Sequence, residues 1–222
     1  MMPPESFLIE RRPLELVIAT YNSGKVREVE QALRNLPVTL RYLEDFSNVS
    51  TVDEIGNTYQ ENAVLKAVEY AKQTGACALA DDSGLEVDAI GGKPGIFSAL
   101  YAGEHASDGD RISRLLSELS RVPTADRGAR FICCMALAGP QSTSSECSAE
   151  PNVLTVVEGR CEGFIAATPR GANGFGFDPV FVPAGYDQTF AQLPDKIKAR
   201  ISHRAQALIQ IQSFIERWQG PA

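Results

Sequence analysis

The stretch that decides the fold class is Leu14-Glu15-Leu16-Val17-Ile18-Ala19-Thr20-Tyr21-Asn22-Ser23-Gly24-Lys25. Its first six residues are an apolar run typical of a short strand, and its last six form a polar turn. Beyond this turn the apolar spacing predicts a helix that buries Val26, Val29, Leu33 and Leu36. A strand, a turn and a helix in this order indicate an α/β protein. The start of such a helix favours an anion.

Further helices and strands are predicted along the chain. Residues 58–61 fit a helix capping box, and this helix ends near Gln73. Ser107 and Asp108 start a third helix, and the last helix runs from about residue 203 to 218. Strands are predicted at residues 77–80, 85–90, 130–138, 153–161 and 179–183. These patterns indicate one mixed α/β unit with two lobes around a cleft.

Composition narrows the class of partner. The 222-residue chain has a net charge of −7, which disfavours a nucleic-acid polymer because such binding needs clustered cations. No apolar run approaches the roughly 20 residues that span a bilayer. Residues 1–13 lack the apolar region of a signal peptide. We therefore expect a flexible leader at 1–13, one domain at 14–222, no membrane partner, and free thiols in the cytoplasm.

The carboxylates of Asp81 and Asp82 are the first candidate catalytic groups. They follow the apolar run at 77–80 and precede Ser83 and Gly84, so we expect them where a buried strand ends at a turn. Strand ends in α/β proteins gather ligand sites. Adjacent carboxylates repel each other unless a cation offsets them, and Mg²⁺ takes one or two carboxylates with waters and phosphates. Taken alone, the segment fits a Mg²⁺ centre and an ordinary acidic turn equally well.

The turn before the first helix carries donors suited to a phosphate. Thr20, Asn22 and Lys25 offer a hydroxyl, an amide and an ammonium group around one turn. The spacing of a P-loop is absent, so a solvated turn is the alternative.

Two segments near the C-terminus carry groups suited to a base. Gly174-Phe175-Gly176-Phe177-Asp178-Pro179 combines aromatic rings, which can stack on a base, with a carboxylate that can accept its hydrogens. The alternative is a turn around a buried aromatic ring. Lys198 and Ser202-His203-Arg204 place cations at the start of the last helix, where they oppose its dipole. This indicates function, with a basic surface cluster as the alternative.

Six segments in the same order strongly resemble the inosine-triphosphate pyrophosphatase family of XTP/dITP diphosphatases. The resemblance covers nearly the whole chain, from about Leu14 to Trp218. The matching segments are Ala19-Thr20-Tyr21-Asn22-Ser23-Gly24-Lys25-Val26-Arg27-Glu28, Glu61-Asn62-Ala63-Val64-Leu65-Lys66-Ala67, Ala80-Asp81-Asp82-Ser83-Gly84-Leu85, Pro94-Gly95-Ile96-Phe97-Ser98-Ala99, Gly174-Phe175-Gly176-Phe177-Asp178-Pro179 and Ser202-His203-Arg204.

The resemblance implies an elongated mixed sheet flanked by helices, two lobes around a substrate cleft, and a homodimer. It implies Mg²⁺-dependent hydrolysis of ITP, dITP and XTP to a nucleoside monophosphate and pyrophosphate. Glu54 and Asp82 would hold the metal. Asp82 matches the residue that is both metal ligand and proton acceptor in the family, with Asp81 as its neighbour, and either of these two catalytic carboxylates could take the proton from the attacking water. Phe175 would stack on the purine. The implied substrate-binding residues are Thr20, Tyr21, Asn22, Ser23, Gly24, Lys25, Lys66, Ser83, Phe175, Gly176, Phe177, Asp178, Lys198, His203 and Arg204.

The chain departs from the family pattern at three positions, none of which is an implied metal ligand. Leu100 replaces a frequent arginine, while Phe97 and Phe177 replace frequent tyrosines. Two other functions remain open. A Maf-like nucleotide pyrophosphatase with another base preference is disfavoured by the Ser-His-Arg segment and the loop that carries Phe175. An inactive purine-nucleotide sensor has no need of water-activating carboxylates.

Overall fold

The computed structural model describes residues 13–140 and 151–218. Within these ranges a seven-stranded mixed sheet has the order β2-β1-β3-β5-β6-β7, and β4 pairs with β3. The strands are β1 (Leu14–Ile18), β2 (Val38–Tyr42), β3 (Cys77–Val87), β4 (Lys93–Pro94), β5 (Gly128–Gly139), β6 (Asn152–Ile165) and β7 (Phe181–Pro183). The helices are α1 (Ser23–Leu33), α2 (Tyr59–Thr74), α3 (Asp108–Glu118), α4 (Asp195–Ile201) and α5 (His203–Arg217).

The predicted strand, turn and helix at the start of the domain are confirmed. β1 pairs in parallel with β2 and β3. Its carboxyl end leads directly into the turn before α1. Asn22 is the N-cap of α1, and its Oδ1 accepts hydrogen bonds from the N–H groups of Gly24 and Lys25. α1 ends at Leu33, so Leu36 lies beyond the helix that was predicted to contain it.

The predicted strand end at Asp81 and Asp82 is wrong, because β3 continues without a break from Cys77 to Val87. Residues 78–87 pair in antiparallel register with β5, which supplies a partner along the whole length. The Ser-Gly dipeptide therefore lies inside a strand. Gly84 is needed there because a Cβ would lie 2.3 Å from the carbonyl oxygen of Gly95. The separate strand predicted at 85–90 is the end of β3, followed by a short 3₁₀ helix.

Two further boundaries differ near the C-terminus. β7 begins at Phe181 rather than at Pro179. Lys198 lies in the last turn of α4, so the expectation that it opposes the dipole at the start of the last helix is wrong. A cation in a last turn is favourable. The predicted starts of α2, α3 and α5 are confirmed, with Thr58, Ser107 and Ser202 as N-caps.

Three hydrophobic clusters explain the arrangement of the layers. The first packs α2 on one face of β1, β3 and β5, and the second packs α1 and α5 on the opposite face. The third lies at the other end of β3 and β5, against α3 and β7. Helices thus flank an open mixed sheet, and the predicted fold class is confirmed. The first two clusters form one lobe and the third forms the other, and residues 81–84 of β3 lie between the two lobes.

Of the predicted leader, only Pro13 falls within the described residues. Across residues 13–140 and 151–218, no helix has the length and apolar character that crossing a membrane requires.

Candidate active site

The site begins at a gap along one edge of β3. On this edge β1 pairs only with residues 77–79, and β4 pairs only with residues 86 and 87. Side chains occupy part of the interval between them. Lys66 Nζ donates to the carbonyl oxygen of Asp81 at 2.7 Å, and Ser98 Oγ accepts from the N–H of Leu85 at 2.9 Å. The gap lies at the carboxyl end of β1, where ligand sites of α/β proteins gather.

Asp81 points toward α1 and α5 and is neutralised by two cations. Its Oδ1 lies 2.9 Å from Lys25 Nζ, and its Oδ2 lies 3.0 Å from Arg204 Nη2. Ser83 Oγ joins this group by accepting from Arg204 at 2.8 Å. Burial alone would raise the pKa of Asp81, but Lys25 and Arg204 outweigh it and hold this pKa well below its usual range. Asp81 therefore stays ionised.

Asp82 points to the opposite face, toward α2. Asn62 Nδ2 donates to its Oδ2 at 3.0 Å, and the N–H of Ser83 donates to its Oδ1 at 3.0 Å. Lys66 Nζ is 4.0 Å from Oδ1. Burial raises the pKa of Asp82 to about 6, Lys66 opposes this change, and Glu54 adds to it. This carboxylate can therefore exchange a proton near neutral pH, which suits a general base.

Asp82 and Glu54 share one cation. Lys66 forms a salt bridge to Glu54 and lies at the limit of a salt bridge to Asp82. Two carboxylates served by one ammonium group leave excess negative charge, which a divalent cation can offset. No group of three or more acidic, histidine or cysteine ligands occurs within the described ranges. Two carboxylates suit Mg²⁺, which keeps several waters and binds substrate phosphates.

A second group of charges joins α1, α4, α5 and the loop before β7. Glu28 accepts from Lys198 Nζ at 2.9 Å and from Arg204 Nη1 at 2.8 Å. Asp178 Oδ2 lies 2.6 Å from Lys198 Nζ. Burial would raise the pKa of Glu28, but Arg204 and Lys198 outweigh it and lower this pKa. The group is held together by buried, charge-assisted hydrogen bonds.

Phe175 lies against this second group. Lys198 Nζ is 4.8 Å from the centre of the Phe175 ring, and Arg204 Cζ is 5.5 Å from it. The ring also packs on Gly24, where a Cβ would lie 2.5 Å from the ring atom Cδ1. A cleft of about 760 Å³ opens beside Phe175, and Glu28 and Lys198 also line it. Its lining residues do not include Asp81, Asp82, His203 or Arg204. This volume is typical of a small-molecule site.

Other predicted site residues have different surroundings. Tyr21 is 48% exposed, and Thr20 Oγ1 accepts from the N–H of Asn22. Ser23 is the first residue of α1. Phe177 is 3% exposed in the third hydrophobic cluster, in edge contact with a tyrosine ring. The N–H of Gly176 donates to Asp108. The predicted charged residues therefore lie close together. Of the two predicted aromatic residues, Phe175 lies beside the cleft and Phe177 lies in the core.

Two residues at the site had no role in the sequence analysis. Glu28 binds both Lys198 and Arg204, and Asn62 donates to Asp82. Both fall inside segments that carry the family resemblance. Glu28 also lies three residues after Lys25, on the same face of α1. That spacing was the available signal, but only the tertiary contacts show which cations it binds.

Comparison with known proteins defines the class. The Ham1 family profile matches residues 16–214. A protein of Geobacter sulfurreducens named dITP/XTP pyrophosphatase is 45% identical over 205 residues, covering 92% of this chain and 98% of its own. One of the same name from Bacillus licheniformis is 44% identical over 204 residues, covering 91% and 98%. The structure of a HAM1 protein from Coxiella burnetii matches with a TM-score of 0.79 at 41% identity, covering 92% and 100%.

The fold and these relatives define a hydrolytic enzyme of the pyrophosphatase class. The chain belongs to the Ham1 family. The resemblance noted from its sequence segments is thereby confirmed.

Proposed function

We propose that this enzyme hydrolyses ITP, dITP and XTP to the nucleoside monophosphate and pyrophosphate, with Mg²⁺ as cofactor, and so removes non-standard purines from the nucleotide pool. One observation carries the proposal. The adjacent carboxylates of Asp81 and Asp82 face opposite sides of β3, one ionised against two cations and the other with a pKa of about 6. The name dITP/XTP pyrophosphatase, carried by two relatives, supports dITP and XTP as substrates.

Asp82 is the proton acceptor of the proposed reaction. It accepts a proton from the water that attacks the α-phosphorus, and the bond from this phosphorus to the bridging oxygen breaks to release pyrophosphate. Glu54 and Asp82 would hold Mg²⁺, which supplies Lewis-acid stabilisation of charge on the phosphoryl oxygens. Lys66 pairs with Glu54, and Lys25, which pairs with Asp81, would contact a phosphate of the substrate. Both ammonium groups favour the growing negative charge.

Base selection follows from the donors around Phe175. Hypoxanthine and xanthine present an oxygen at position 6 where adenine presents an amino group. Lys198, His203 and Arg204 carry donors on the base side of the proposed site. Adenine leaves one such buried donor unpaired, which costs about 1–3 kcal/mol.

We also propose a cytoplasmic homodimer. The described cysteines Cys77, Cys133, Cys134 and Cys161 are free thiols, which suits a reducing compartment. Phe97 is 63% exposed and Leu100 is 56% exposed in the 3₁₀ helix Gly95–Leu100. Residues three apart in such a helix share a face, so the pair offers an apolar contact for a second copy.

The experiment is to measure pyrophosphate release from ITP, dITP, XTP, GTP and ATP with Mg²⁺, for the wild type and for Asp82→Asn. We expect rapid release from the first three substrates and a loss of at least about a hundredfold in the variant. Equal cleavage of ATP and ITP contradicts the base assignment and favours the Maf-like alternative. Tight ITP binding without release favours the sensor.

A further inference from the structure

The imidazole of His203 is held in place by packing. It is buried at the first residue of α5, where it stacks on Phe131 with ring centres 4.6 Å apart and planes 10° from parallel. Its Nδ1 is buried without a hydrogen-bond partner in residues 13–140 and 151–218. Burial, with Arg204 and Lys198 nearby, holds the pKa of His203 well below its usual range. The ring is therefore neutral. Because Nδ1 has no hydrogen-bond partner among these residues, the stack on Phe131 fixes the rotation of the ring.

The backbone of His203 is placed by a glycine of β6. A Cβ on Gly159 would lie 2.0 Å from the carbonyl oxygen of His203 and 2.6 Å from the backbone nitrogen of Ala207. Any side chain at Gly159 must therefore move the first turn of α5 away from the sheet. Gly159 therefore determines how closely the backbone of His203, which follows the N-cap Ser202, approaches β6.

Phe131 and Gly159 act on the same face of the sheet. Phe131 and Cys133 are two residues apart on β5, so their side chains point the same way. Cys133 is paired with Gly159 of β6, and paired residues share a face. Phe131 is itself fixed by an edge contact to Phe181, with ring centres 4.7 Å apart. One residue thus supports the ring of His203 and the other supports its backbone.

We propose that Phe131 and Gly159 are positioning residues for base selection, which hold the imidazole of His203 against the 6-oxo edge of the purine. Neither residue carries a polar side chain for substrate, and neither was among the predicted site residues. The inference rests on the proposed function, which places His203 on the base side. Selection depends on placement because a hydrogen-bond donor must meet the 6-oxo group within a few tenths of an ångström.

The test measures kcat and KM for ITP and ATP with Mg²⁺, together with the melting temperature of each variant. In Phe131→Leu, which removes the stacking ring, we expect the preference for ITP over ATP to fall about tenfold. The change should appear in KM for ITP and leave kcat for ITP within about twofold, because Asp82 lies on the other face of β3. Phe131→Tyr keeps an aromatic ring and should retain the preference. This rescue distinguishes positioning from general loss of packing.

Gly159→Ala has a matched control in the neighbouring strand β5. Gly139 is also closely packed, since its Cβ would lie 2.7 Å from the Sγ of Cys77, and none of the atoms it would meet belongs to His203, Phe131 or Phe181. Gly159→Ala should lower the ITP preference, and Gly139→Ala should not. An unchanged preference in folded Phe131→Leu, or an equal fall in both glycine variants, overturns the inference. If Gly159→Ala fails to fold, the Phe131 variants decide. A wild type that does not prefer ITP overturns the proposed function as well, so the two failures are distinguishable.

Discussion

Asp81 and Asp82 are adjacent in β3, yet their carboxylates lie on opposite faces of the sheet and in opposite electrostatic environments. Asp81 is bound by Lys25 and Arg204 on the face of α1 and α5. Asp82 receives a hydrogen bond from Asn62 on the face of α2. The alternation of side chains along a strand produces this division. One segment can therefore supply a permanent anion to cationic partners and a titratable group to the reaction.

The first prediction separates the two carboxylates by stability. Asp81→Asn leaves the guanidinium of Arg204 buried without one of its two anionic partners, so we expect a loss of about 3–5 kcal/mol in the free energy of unfolding. Asp82→Asn keeps a polar partner for Asn62 and should change this free energy far less at neutral pH. Urea denaturation of the metal-free proteins measures both. Similar losses in the two variants would contradict the electrostatic division.

The second prediction concerns pH in the metal-free protein. The pKa of Asp82 is raised from 3.8 to about 6, so between these values the folded state binds more protons than the unfolded state. Stability from this group is therefore lost as pH rises from about 4 to about 6. Asp82→Asn lacks this loss, and its stability relative to the wild type should increase across that window by about 2–3 kcal/mol. Denaturation at several pH values in EDTA measures the difference.

The effect of added Mg²⁺ on the melting temperature tests whether Asp82 is a metal ligand. A metal binds the ionised carboxylate, so Mg²⁺ should raise the melting temperature of the wild type more at pH 7 than at pH 5. Asp82→Asn should lose most of this rise at both pH values. Asp126→Asn, which changes an exposed carboxylate on the 3₁₀ helix Thr124–Asp126, serves as the control and should behave as the wild type. An equal Mg²⁺ effect in all three proteins excludes Asp82 as a ligand.

Much of the fold could be predicted because local signals agree with tertiary structure. The cap at Thr58 and the cap at Ser202 lie where the sequence indicates, since a side-chain oxygen satisfies the first free N–H groups of a helix. The course of β3 could not be predicted in this way. Ser83 and Gly84 are typical of a turn, and only the long antiparallel pairing with β5 keeps them extended.

The sequence analysis named charged residues that the structure brings close together, but it could not name the partners that each of them contacts. Asp82 and Lys66 lie together, as the family resemblance implies. Glu28 is an acidic residue within a helix, a pattern that usually indicates a solvated face. Its contacts with Lys198 and Arg204 join residues that are about 170 positions apart, and no local pattern carries that information. Phe177 is only two residues after Phe175 in sequence, yet its side chain is buried in the core.

The third prediction concerns the homodimer. Phe97 and Leu100 are exposed on the same 3₁₀ helix, so replacing both by serine should remove the apolar contact and shift the enzyme to a monomer at micromolar concentration. Sedimentation velocity measures the shift. Val153→Ser removes an exposed apolar side chain of β6 and should leave the dimer intact. A dimer that survives the double substitution uses another surface, and a monomeric wild type contradicts the homodimer itself.

The fourth prediction compares two helix glycines, of which only one packs against the ring of Phe175. Gly24 and Gly109 are each the second residue of a helix, α1 and α3. Alanine is favoured over glycine in a helix by up to about 1 kcal/mol, so neither substitution to alanine should lower stability through the backbone. At Gly24, however, the new Cβ would lie 2.5 Å from the ring of Phe175, whereas at Gly109 the nearest atom would be 3.6 Å away. Gly24→Ala must therefore displace the ring that is proposed to stack on the purine.

We expect Gly24→Ala to raise KM for ITP by about tenfold, the cost of a weakened base stack, with a smaller change in kcat. Gly109→Ala should leave both constants within about twofold of the wild type, because its Cβ makes only an ordinary contact with Ser107. Steady-state kinetics with ITP, alongside thermal unfolding of both variants, measures the comparison. If KM for ITP were unchanged in Gly24→Ala, Phe175 would have no part in binding the purine, and the base would have to stack elsewhere in the cleft.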